Sequence, residues 1–507
     1  MIDTDSRRLE AARGLWRQGR QDDALDLYRE AIRQEPDNVR TYVMAARAYA
    51  EKFHFDRMEE LLQKMVRRAH RHPGVHHYVG ETYGLLKLPS RAIASYERAA
   101  RLPGALPPTW MELASLYENA HRLNEARELI ERTVRAGFDL PLVWLVRGRI
   151  QRRQQQLDLA ESTFHDLIRR LPDSQWACQA WGELALMKDR QGDYDGAIEA
   201  IDHCKQLQMA HEDRHWQASE KVHARARRLF DDLTSAQLRR WRDEATHIPK
   251  QRVALLTGFP RSGTTLLEQV LDAHPDLISS EERDFVGKEL MHAFSSKQGM
   301  KTLLEVFEDL RLEQIESERK RYFQAMEYLL GEPIGGRMHL DKNPAYNLTL
   351  PLMFRVFPET RLVIALRDPR DVVLSCYLRY LPLNTVSVRF LTPERTAERY
   401  AFDMRCWIKF RKMVDVPWCE VRYEDTVRDL PGQARKALRT LGLKWNDTVL
   451  DYRQRLTRVK QVTSPTYEAV AEPIYTRAIG RWKNYQKILE PVLETLEPFI
   501  REFGYDT

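Results

Sequence analysis

Small residues recur along the amino-terminal part of the chain at a fixed spacing of 34 residues. One column of such positions holds Ala12, Ala46, Gly80, Ala114 and Gly148. A second column, twelve residues further along each time, holds Ala24, Met58, Ala92, Ala126 and Ala160. Two helices approach closely only where small side chains face each other, so this spacing predicts helical hairpins stacked into a solenoid. A generic helical bundle would not produce a fixed period.

Larger residues form a third column, four positions after the second: Tyr28, Leu62, Tyr96, Ile130 and Phe164. We expect these side chains to fill the gaps between neighbouring hairpins. The period is that of tetratricopeptide repeats, which stack in this way. A sixth unit follows after a slip of three residues, around Trp181 and residues 197–201. Six units exceed the roughly three needed for a continuous core, so residues 1–211 are predicted to form an α-helical solenoid.

The pattern changes after residue 211. Residues 212–247 are highly charged and favour helix, with Thr234 or Ser235 as an N-cap. They are predicted to cap the solenoid and to lead into a second domain over residues 248–507. The second domain opens with an apolar run, residues 253–256, which is typical of a buried strand.

A tight loop that suits a phosphate group follows this strand. Gly258 and Gly263 have the spacing of the nucleotide-binding P-loop, but a threonine, Thr264, stands where that loop has its lysine. Glycines let successive backbone N–H groups converge, and the helix that begins near Thr264 adds further N–H donors and its dipole. The neighbouring polar side chains are Arg261, Ser262, Thr264 and Thr265. An ordinary strand–turn–helix connection is the alternative.

A second segment also has the residues of a phosphate site. Residues 362–366 are apolar and predict a buried strand, and a helix is predicted to begin at Pro369. Arg367 ends the strand, while Ser375 and Arg379 are four residues apart and are expected on one face of the helix. Two guanidinium groups and a hydroxyl suit a doubly charged phosphate. The alternative is a surface cluster of ion pairs with Asp368 and Asp371.

Together the two segments resemble the sulfotransferases that use 3′-phosphoadenylyl sulfate. Residues 258–265 resemble that family's 5′-phosphosulfate loop, and the form with an arginine is most similar to the tyrosylprotein sulfotransferases. Arg367, Ser375 and Arg379 reproduce the spacing of the 3′-phosphate motif. The resemblance covers roughly residues 250–485. It implies a P-loop-like α/β domain with a central parallel sheet, and 3′-phosphoadenylyl sulfate as co-substrate without a metal.

The resemblance also implies catalytic residues. The segment from Leu271 to Glu282 resembles the one that ends in the family's catalytic glutamate, which maps onto Glu282; its neighbour Glu281 is the alternative. The sequence Asp-Lys-Asn-Pro at residues 341–344 carries the family's transition-state lysine at Lys342. Tyr423 matches a tyrosine that contacts the donor.

A closing loop is implied near the carboxyl terminus. Residues 466–475 and Arg481 resemble the family's cover over the adenosine, with Tyr475 and Arg481 as donor-binding residues. Thr466 takes the place of a serine whose hydroxyl stabilises the transferring group. The hydroxyls of Thr463 and Ser464 are alternatives at this position.

Composition narrows the class of protein. A chain of 507 residues exceeds one core, and its 43% hydrophobic and 30% charged residues are ordinary for a soluble protein. A net charge of +6 is too small to indicate nucleic-acid binding. The first residues lack the apolar segment of a signal peptide, and no run is long enough to span a bilayer. Five scattered cysteines are expected as reduced core thiols of a cytoplasmic protein.

Function is expected to follow from the second domain. The alternatives are a P-loop kinase or NTPase, which would have a lysine at position 264, and a repeat scaffold without activity. The acceptor hydroxyl is left open between peptide tyrosine, carbohydrate, lipid and small phenols. The solenoid is expected to bind a peptide acceptor or partner, the helical residues 284–336 to cover it, and a homodimer is compatible with the sequence. The histidines at positions 70, 72, 76 and 77 are expected to lie at a solvated junction between repeats, and a metal site is the alternative.

Overall fold

A computed structural model describes residues 7–283, 285, 302–453 and 477–506 of the chain. It divides into two compact units. The first comprises Met1–Ile150 and Gln324–Glu332, and the second comprises Gln151–Phe323 and Pro333–Thr507.

The first unit is built from helices. Their bounds are α1 Arg7–Arg17, α2 Gln21–Gln34, α3 Val39–Glu51, α4 Phe55–Arg68, α5 Pro73–Leu85, α6 Pro89–Arg101, α7 Pro107–Asn119, α8 Leu123–Arg135 and α9 Pro141–Arg153. Successive helices pack as pairs, α1 with α2 through α7 with α8. The small columns are buried between them, and a Cβ added to Gly80 would lie 2.9 Å from the Tyr96 ring of the third column. The predicted repeat architecture is therefore confirmed.

Residues 324–332 complete the first unit. Their aromatic residue Tyr328 stacks on Phe55 at a centroid distance of 4.1 Å and donates its hydroxyl to Glu59. Arg91 donates to the same hydroxyl at 3.0 Å. The predicted cover thus contributes a short stretch to the repeat unit, while residues 286–301 of it lie outside the described residues.

The second unit begins with further helices: α10 Leu157–Arg170, α11 Gln175–Gln191, α12 Tyr194–Met209, α13 Asp213–Asp232 and α14 Ser235–Glu244. The sixth predicted repeat is the pair α11 and α12. Thr234 is the N-cap of α14 and forms a capping box with Gln237, because each side chain reaches the other's backbone N–H. The compact units divide at residue 150 and not at residue 211, so the predicted domain boundaries stay a prediction.

A five-stranded parallel sheet forms the centre of this unit. The strands are β1 Val253–Gly258, β2 Leu277–Ser279, β3 Met338–Lys342, β4 Arg361–Leu366 and β5 Trp418–Arg422, in the order β2-β3-β1-β4-β5. The predicted fold class is confirmed. In the register, Leu256 pairs with Lys342 on one side and Val363 on the other. The carboxyl ends of β1, β3 and β4 therefore meet at one edge, where parallel sheets carry their sites.

Helices surround the sheet. They are α15 Thr264–Asp272, α16 Leu303–Glu308, α17 Leu312–Leu330, α18 Leu350–Val356, α19 Pro369–Tyr377, α20 Pro393–Met413, α21 Tyr423–Arg428, α22 Leu430–Leu441, α23 Gln486–Leu489 and α24 Leu493–Glu502. One core packs α15 and α22 against the strands, with Leu256, Val270, Leu340, Val363 and Leu438 among its buried residues. Within the described ranges, no helix is long and apolar enough to cross a membrane.

The cysteines are buried, and so are two histidines of the cluster, His76 and His77, so the expectation of a solvated junction is wrong for these two. His70 and His72 are exposed. All five cysteines are free thiols in buried positions. His72 caps α5 by accepting a hydrogen bond from the Gly74 N–H at 3.1 Å, and His76 contacts the carbonyl of His70 at 2.7 Å. His77 contacts the Thr109 hydroxyl at 3.1 Å. In the part of the chain that the structure describes, no group of three acidic, cysteine or histidine side chains could hold a metal ion.

Candidate active site

The loop between β1 and α15 has the shape of an anion cradle. Its glycines are required by close approaches: a Cβ on Gly258 would lie 2.3 Å from the Ala365 carbonyl oxygen. Gly263 is the N-cap of α15 with a φ of 90°, and a Cβ there would lie 2.7 Å from the Tyr423 ring. Thr264 and Thr265 form the first turn of the helix and are buried. The open N–H groups of this turn and its dipole favour a negatively charged ligand.

Arg261 joins the two predicted phosphate motifs. Its backbone has a φ of 73°, a conformation that non-glycine residues rarely adopt. Its Nε donates to the Ser375 hydroxyl at 3.1 Å, and its carbonyl oxygen accepts from Arg367 at 3.2 Å. Arg261 and Ser375 are 114 positions apart in the sequence. Their hydrogen bond brings residues of the two motifs into one site.

Arg367 follows strand β4 and is held on several sides. It lies 3.7 Å from the Asp371 carboxylate, and its guanidinium carbon lies 5.2 Å from the centroid of the Tyr423 ring. Its Nε is buried and has no hydrogen-bond partner among the described residues. A buried donor without an acceptor is costly, and a phosphate oxygen would satisfy it. The residues present thus fit a phosphate-bearing ligand.

Arg379 does not lie on the helix with Ser375. Helix α19 ends at Tyr377, so the prediction that both residues share one helical face is wrong. The chain turns because Pro382 disfavours helix for the residue before it, and because buried side chains of α12 bind its backbone. Lys205 donates to the Arg379 carbonyl at 2.9 Å, and Gln208 donates to the Leu381 carbonyl at 2.8 Å. Arg379 therefore extends from a bend beyond the helix.

The predicted catalytic pair lies at the end of strand β3. The side chain of Lys342 is fully buried, and its Nζ lies 2.8 Å from Glu282 Oε1. Its second partner is Glu268 on α15, at 3.2 Å. Glu281 adopts a φ of 56°, which turns the chain just before Glu282. Of the two glutamates that the sequence left open, the geometry favours Glu282 as the partner of the lysine.

The charge on Lys342 is set by opposing effects. Burial lowers the pKa of its ammonium group, but the carboxylates of Glu268 and Glu282 outweigh burial and raise the pKa above its ordinary value. Glu281 adds a smaller contribution in the same direction. Lys342 is therefore a cation at neutral pH, which suits a group that must stabilise developing negative charge.

The preceding residue, Asp341, anchors this strand end. It accepts hydrogen bonds from Tyr322 at 2.6 Å and from Tyr346 at 3.1 Å. Neighbouring side chains on a strand point to opposite faces, so fixing Asp341 on one face also fixes Lys342 on the other.

The predicted closing loop is described in part. Thr466 and Tyr475, with the alternatives Thr463 and Ser464, lie outside the described residues. Arg481 is described, and its side chain pairs with Asp189 of α11 at 2.6 Å.

The backbone around Arg481 lies against the second phosphate motif. Asp371 accepts from the N–H groups of Gly480 and Trp482, both at 2.8 Å. Arg367 donates to the Ala478 carbonyl at 2.5 Å. The segment is thus near the predicted site, while the Arg481 side chain is directed to α11.

Sequence reasoning missed Glu268 and treated Asp371 only as a surface charge. Both are buried acids whose contacts are with predicted site residues. A signal for Glu268 was present, because it lies four residues after Thr264 on the same helical face and directly follows the apolar pair Leu266 and Leu267. A charged residue in that position needs a partner.

Comparison with known proteins gives the family of each part. A model of the sulfotransferase family matches residues 254–447, and two models of the tetratricopeptide repeat match residues 6–48 and 111–175. The chain therefore combines tetratricopeptide repeats with a domain of the sulfotransferase family.

Individual relatives are distant. An uncharacterized protein of Aquifex aeolicus (strain VF5) is 23% identical over 395 residues, which cover 76% of this chain and 50% of that protein. Protein-tyrosine sulfotransferase 1 of Danio rerio is 24% identical over 265 residues, covering 49% of this chain and 71% of that protein. The sulfotransferase domain from the Synechococcus PCC 7002 olefin synthase aligns with a TM-score of 0.35 and 21% identity, covering 51% of this chain and 100% of that domain. The chain spans half the length of the Aquifex protein.

Proposed function

We propose that this protein transfers a sulfuryl group from 3′-phosphoadenylyl sulfate to an acceptor hydroxyl. The observation that carries the proposal is the meeting of two anion-binding motifs with a carboxylate–ammonium pair at one edge of the sheet. The hydrogen bond from Arg261 to Ser375 joins the two motifs, and the contact from Lys342 to Glu282 forms the pair.

The donor would be held by its two phosphate groups. The N–H groups of residues 263–265 and the guanidinium of Arg261 would hold the 5′-phosphate, which carries the activated sulfuryl group. Arg367, Ser375 and Arg379 would hold the 3′-phosphate. Tyr423 would contact the donor from the side of Gly263, and Tyr475 and Arg481 would belong to the segment that covers it.

The reaction needs one base and one cation. Glu282 would accept the proton of the acceptor hydroxyl as its oxygen forms a bond to sulfur. Lys342 would donate a hydrogen bond to the oxygen that bridges sulfur and the 5′-phosphate, while that sulfur–oxygen bond breaks. Adenosine 3′,5′-bisphosphate would leave with both electrons of the broken bond. Thr466 is the residue we propose to stabilise the transferring group.

A tyrosine of a peptide is the acceptor that we propose, in a cytoplasmic setting. Two observations support it: the Danio rerio relative is named a protein-tyrosine sulfotransferase, and repeat solenoids present long surfaces that suit extended peptides. The repeats would raise the local concentration of a peptide acceptor.

Two measurements test the proposal: binding of adenosine 3′,5′-bisphosphate, the product formed from the donor, and transfer of label from radiolabelled donor. Adenosine 3′,5′-bisphosphate without magnesium should raise the melting temperature, since both phosphates meet protein donors directly. Radiolabel from 3′-phosphoadenylyl sulfate should then appear on a tyrosine peptide. Stabilisation by ATP with magnesium, without stabilisation by the bisphosphate, would establish the kinase alternative. Binding of the bisphosphate without turnover on any acceptor class would leave the scaffold alternative.

A further inference from the structure

The Lys342 ammonium group lies between two carboxylates that differ sharply in exposure. The side chain of Glu268 is 1% exposed and that of Glu282 is 29% exposed. The deeper carboxylate lies 3.2 Å from Nζ and the shallower one 2.8 Å. One of the two can therefore meet an acceptor, and the other is enclosed by protein.

The proposed reaction changes the charge of only one of them. When Glu282 accepts a proton from the acceptor, it stops balancing the ammonium group. A buried ammonium without an anion is costly, and such a lysine tends to lose its proton. Lys342 would then lose its positive charge at the moment when the leaving oxygen gains negative charge and needs that cation. A second, permanent anion removes this difficulty.

We propose that Glu268 is a positioning residue that keeps Lys342 charged and in place while Glu282 titrates. This inference rests on the proposed function and deepens it. Glu268 and Glu282 then have separate tasks: the first is a fixed counter-ion and the second is the base.

The surroundings of Glu268 fit a fixed anion. Its Oε1 accepts a hydrogen bond from the Ser279 hydroxyl at the end of β2. The Ser279 backbone N–H donates to Asp272 at 2.6 Å, and the Ser279 hydroxyl also accepts from the Glu281 N–H at 3.4 Å. The same serine thus joins α15 to the turn that precedes Glu282, so the two carboxylates are held in one framework.

Two further charged groups among the described residues interact with the pair. Glu281 also faces Lys342, and the Arg283 guanidinium faces both Glu281 and Glu268. Burial lowers the pKa of Arg283, and those two carboxylates oppose this effect. Arg283 therefore adds a second positive charge that attracts Glu268, besides Lys342.

The kinetic test compares two buried acids on the same helix in the full chain. Glu268→Gln keeps an acceptor for Ser279 but removes the charge. Its rate should begin to fall with rising pH about one to three units earlier than in the unaltered protein, which is the usual effect of losing an adjacent opposite charge. Asp272→Asn is the matched control. In this variant the rate should fall at the same alkaline pH as in the unaltered protein, so the alkaline limb of its pH–rate profile should be unchanged. An unchanged alkaline limb in Glu268→Gln would overturn the proposal.

A second test does not depend on turnover. Lys342→Met and Glu268→Gln, singly and together, form a double-mutant cycle in chemical unfolding. Glu268→Gln leaves Lys342 with less compensation and should be the less stable protein, whereas the double variant should regain stability because both buried charges are gone. Additive effects would overturn the pairing. If Glu268→Gln does not fold, the double variant should fold again, and a double variant that also fails to fold would overturn the pairing. If the protein transferred no sulfuryl group at all, the proposed function would fail while this cycle still reported on the pair.

Discussion

Arg261, Arg367 and Ser375 show how far residue chemistry can be predicted from sequence. Their types and spacing indicated phosphate binding, and the structure brings all three together through hydrogen bonds of 3.1 Å and 3.2 Å. Glu268 shows the limit. Whether an acid on a helix is solvated or buried depends on which strand packs over it, and the local pattern does not contain that information.

The buried Nε of Arg367 gives a prediction about donor binding. Arg367→Ala should weaken the binding of adenosine 3′,5′-bisphosphate roughly tenfold or more, because charge-assisted hydrogen bonds to phosphate are lost. Ser375→Ala should cost less, since it removes a neutral hydrogen bond. Calorimetric titration gives both affinities, with Arg242→Ala, an exposed partner of Asp415, as the control. Unchanged affinity in both site variants would show that the second motif does not bind the ligand.

The choice between Glu281 and Glu282 is also open to experiment. Glu282→Gln should retain affinity for adenosine 3′,5′-bisphosphate but lower turnover by roughly a hundredfold or more, the usual scale for a general base. Glu281→Gln should have a smaller effect, because its neighbour is the one that contacts Lys342. Single-turnover rates with labelled donor separate the two. The reverse order of effects would move the assigned base by one residue.

At the scale of elements, the predicted linker helix α13 packs against residues 387–395, which lead into α20. Its Trp216 ring lies between two guanidinium groups, with Arg389 at 4.1 Å and Arg395 at 4.6 Å from the ring centroid. Arg389 also donates to the Ser219 hydroxyl at 3.0 Å. The charge and helix propensity of residues 212–247 predicted the helices, but the tertiary partners of those charges could not be read from the chain.

His223 on α13 makes this packing sensitive to acid. It stacks on Phe402 at 4.8 Å and contacts Arg399 at 2.8 Å. Burial, followed by the charges of Arg399, Arg389 and Arg227, lowers the pKa of His223 to about 3. Between this value and the ordinary pKa near 6.5, the unfolded chain binds a proton that the folded chain does not. The stability contribution of neutral His223 is therefore complete above about pH 6.5 and is lost as the pH falls through that window.

His223→Gln should remove part of this dependence. The free energy of unfolding, measured with denaturant at pH 7 and at pH 4.5, should differ less between the two conditions than in the unaltered protein. His247→Gln, at an exposed position, should keep the full difference. If His223→Gln retained the same difference, His223 would not be the group that carries it.

Helix α11 packs closely against the bend that follows α19, at Gly182 and Tyr380. A Cβ added to Gly182 would lie 2.6 Å from the Cβ of Tyr380, the residue next to Arg379. Gly182→Ala should therefore displace the bend that carries Arg379 and weaken the binding of adenosine 3′,5′-bisphosphate by about tenfold, as small misplacements of binding groups do. Gly84→Ala on α5 is the matched control, since nothing lies within 4 Å of its added Cβ. Equal affinities of the two variants would show that the packing of α11 against the bend does not affect binding of the bisphosphate.

At the scale of the whole molecule, the repeat period predicted the number of hairpins but not the compact unit to which each hairpin belongs. Five hairpins share the 34-residue spacing and the sixth follows after a slip of three residues. The compact units nevertheless assign residues 151–211 to the unit that holds the sheet. The reason lies in side chains outside the period: Asp189 binds Arg481, and Lys205 binds the Arg379 backbone. Asp189 and Arg481 are nearly three hundred residues apart in the sequence. A local sequence pattern cannot predict a contact between positions so far apart.

This assignment predicts where the chain can be shortened. A truncated protein that begins at Gln151 keeps α11 and α12, so it should bind adenosine 3′,5′-bisphosphate with an affinity close to that of the full chain. One that begins at Glu212 loses Asp189, Lys205 and Gln208, and should bind more weakly because the segments carrying Arg379 and Arg481 lose their supports. Both truncated proteins leave Tyr328 without Phe55, so the comparison between them is matched.

The same truncated protein beginning at Gln151 tests what the first repeats bind. If they hold a peptide acceptor, its loss should raise the KM for a long tyrosine peptide far more than the KM for a small phenol, because only the peptide gains effective concentration from the solenoid. Calorimetric affinity for the bisphosphate confirms that the shortened protein is folded before the KM values are compared. Equal increases for both acceptors would assign the first repeats to stability or assembly, since a small phenol gains no effective concentration from a surface that binds peptides.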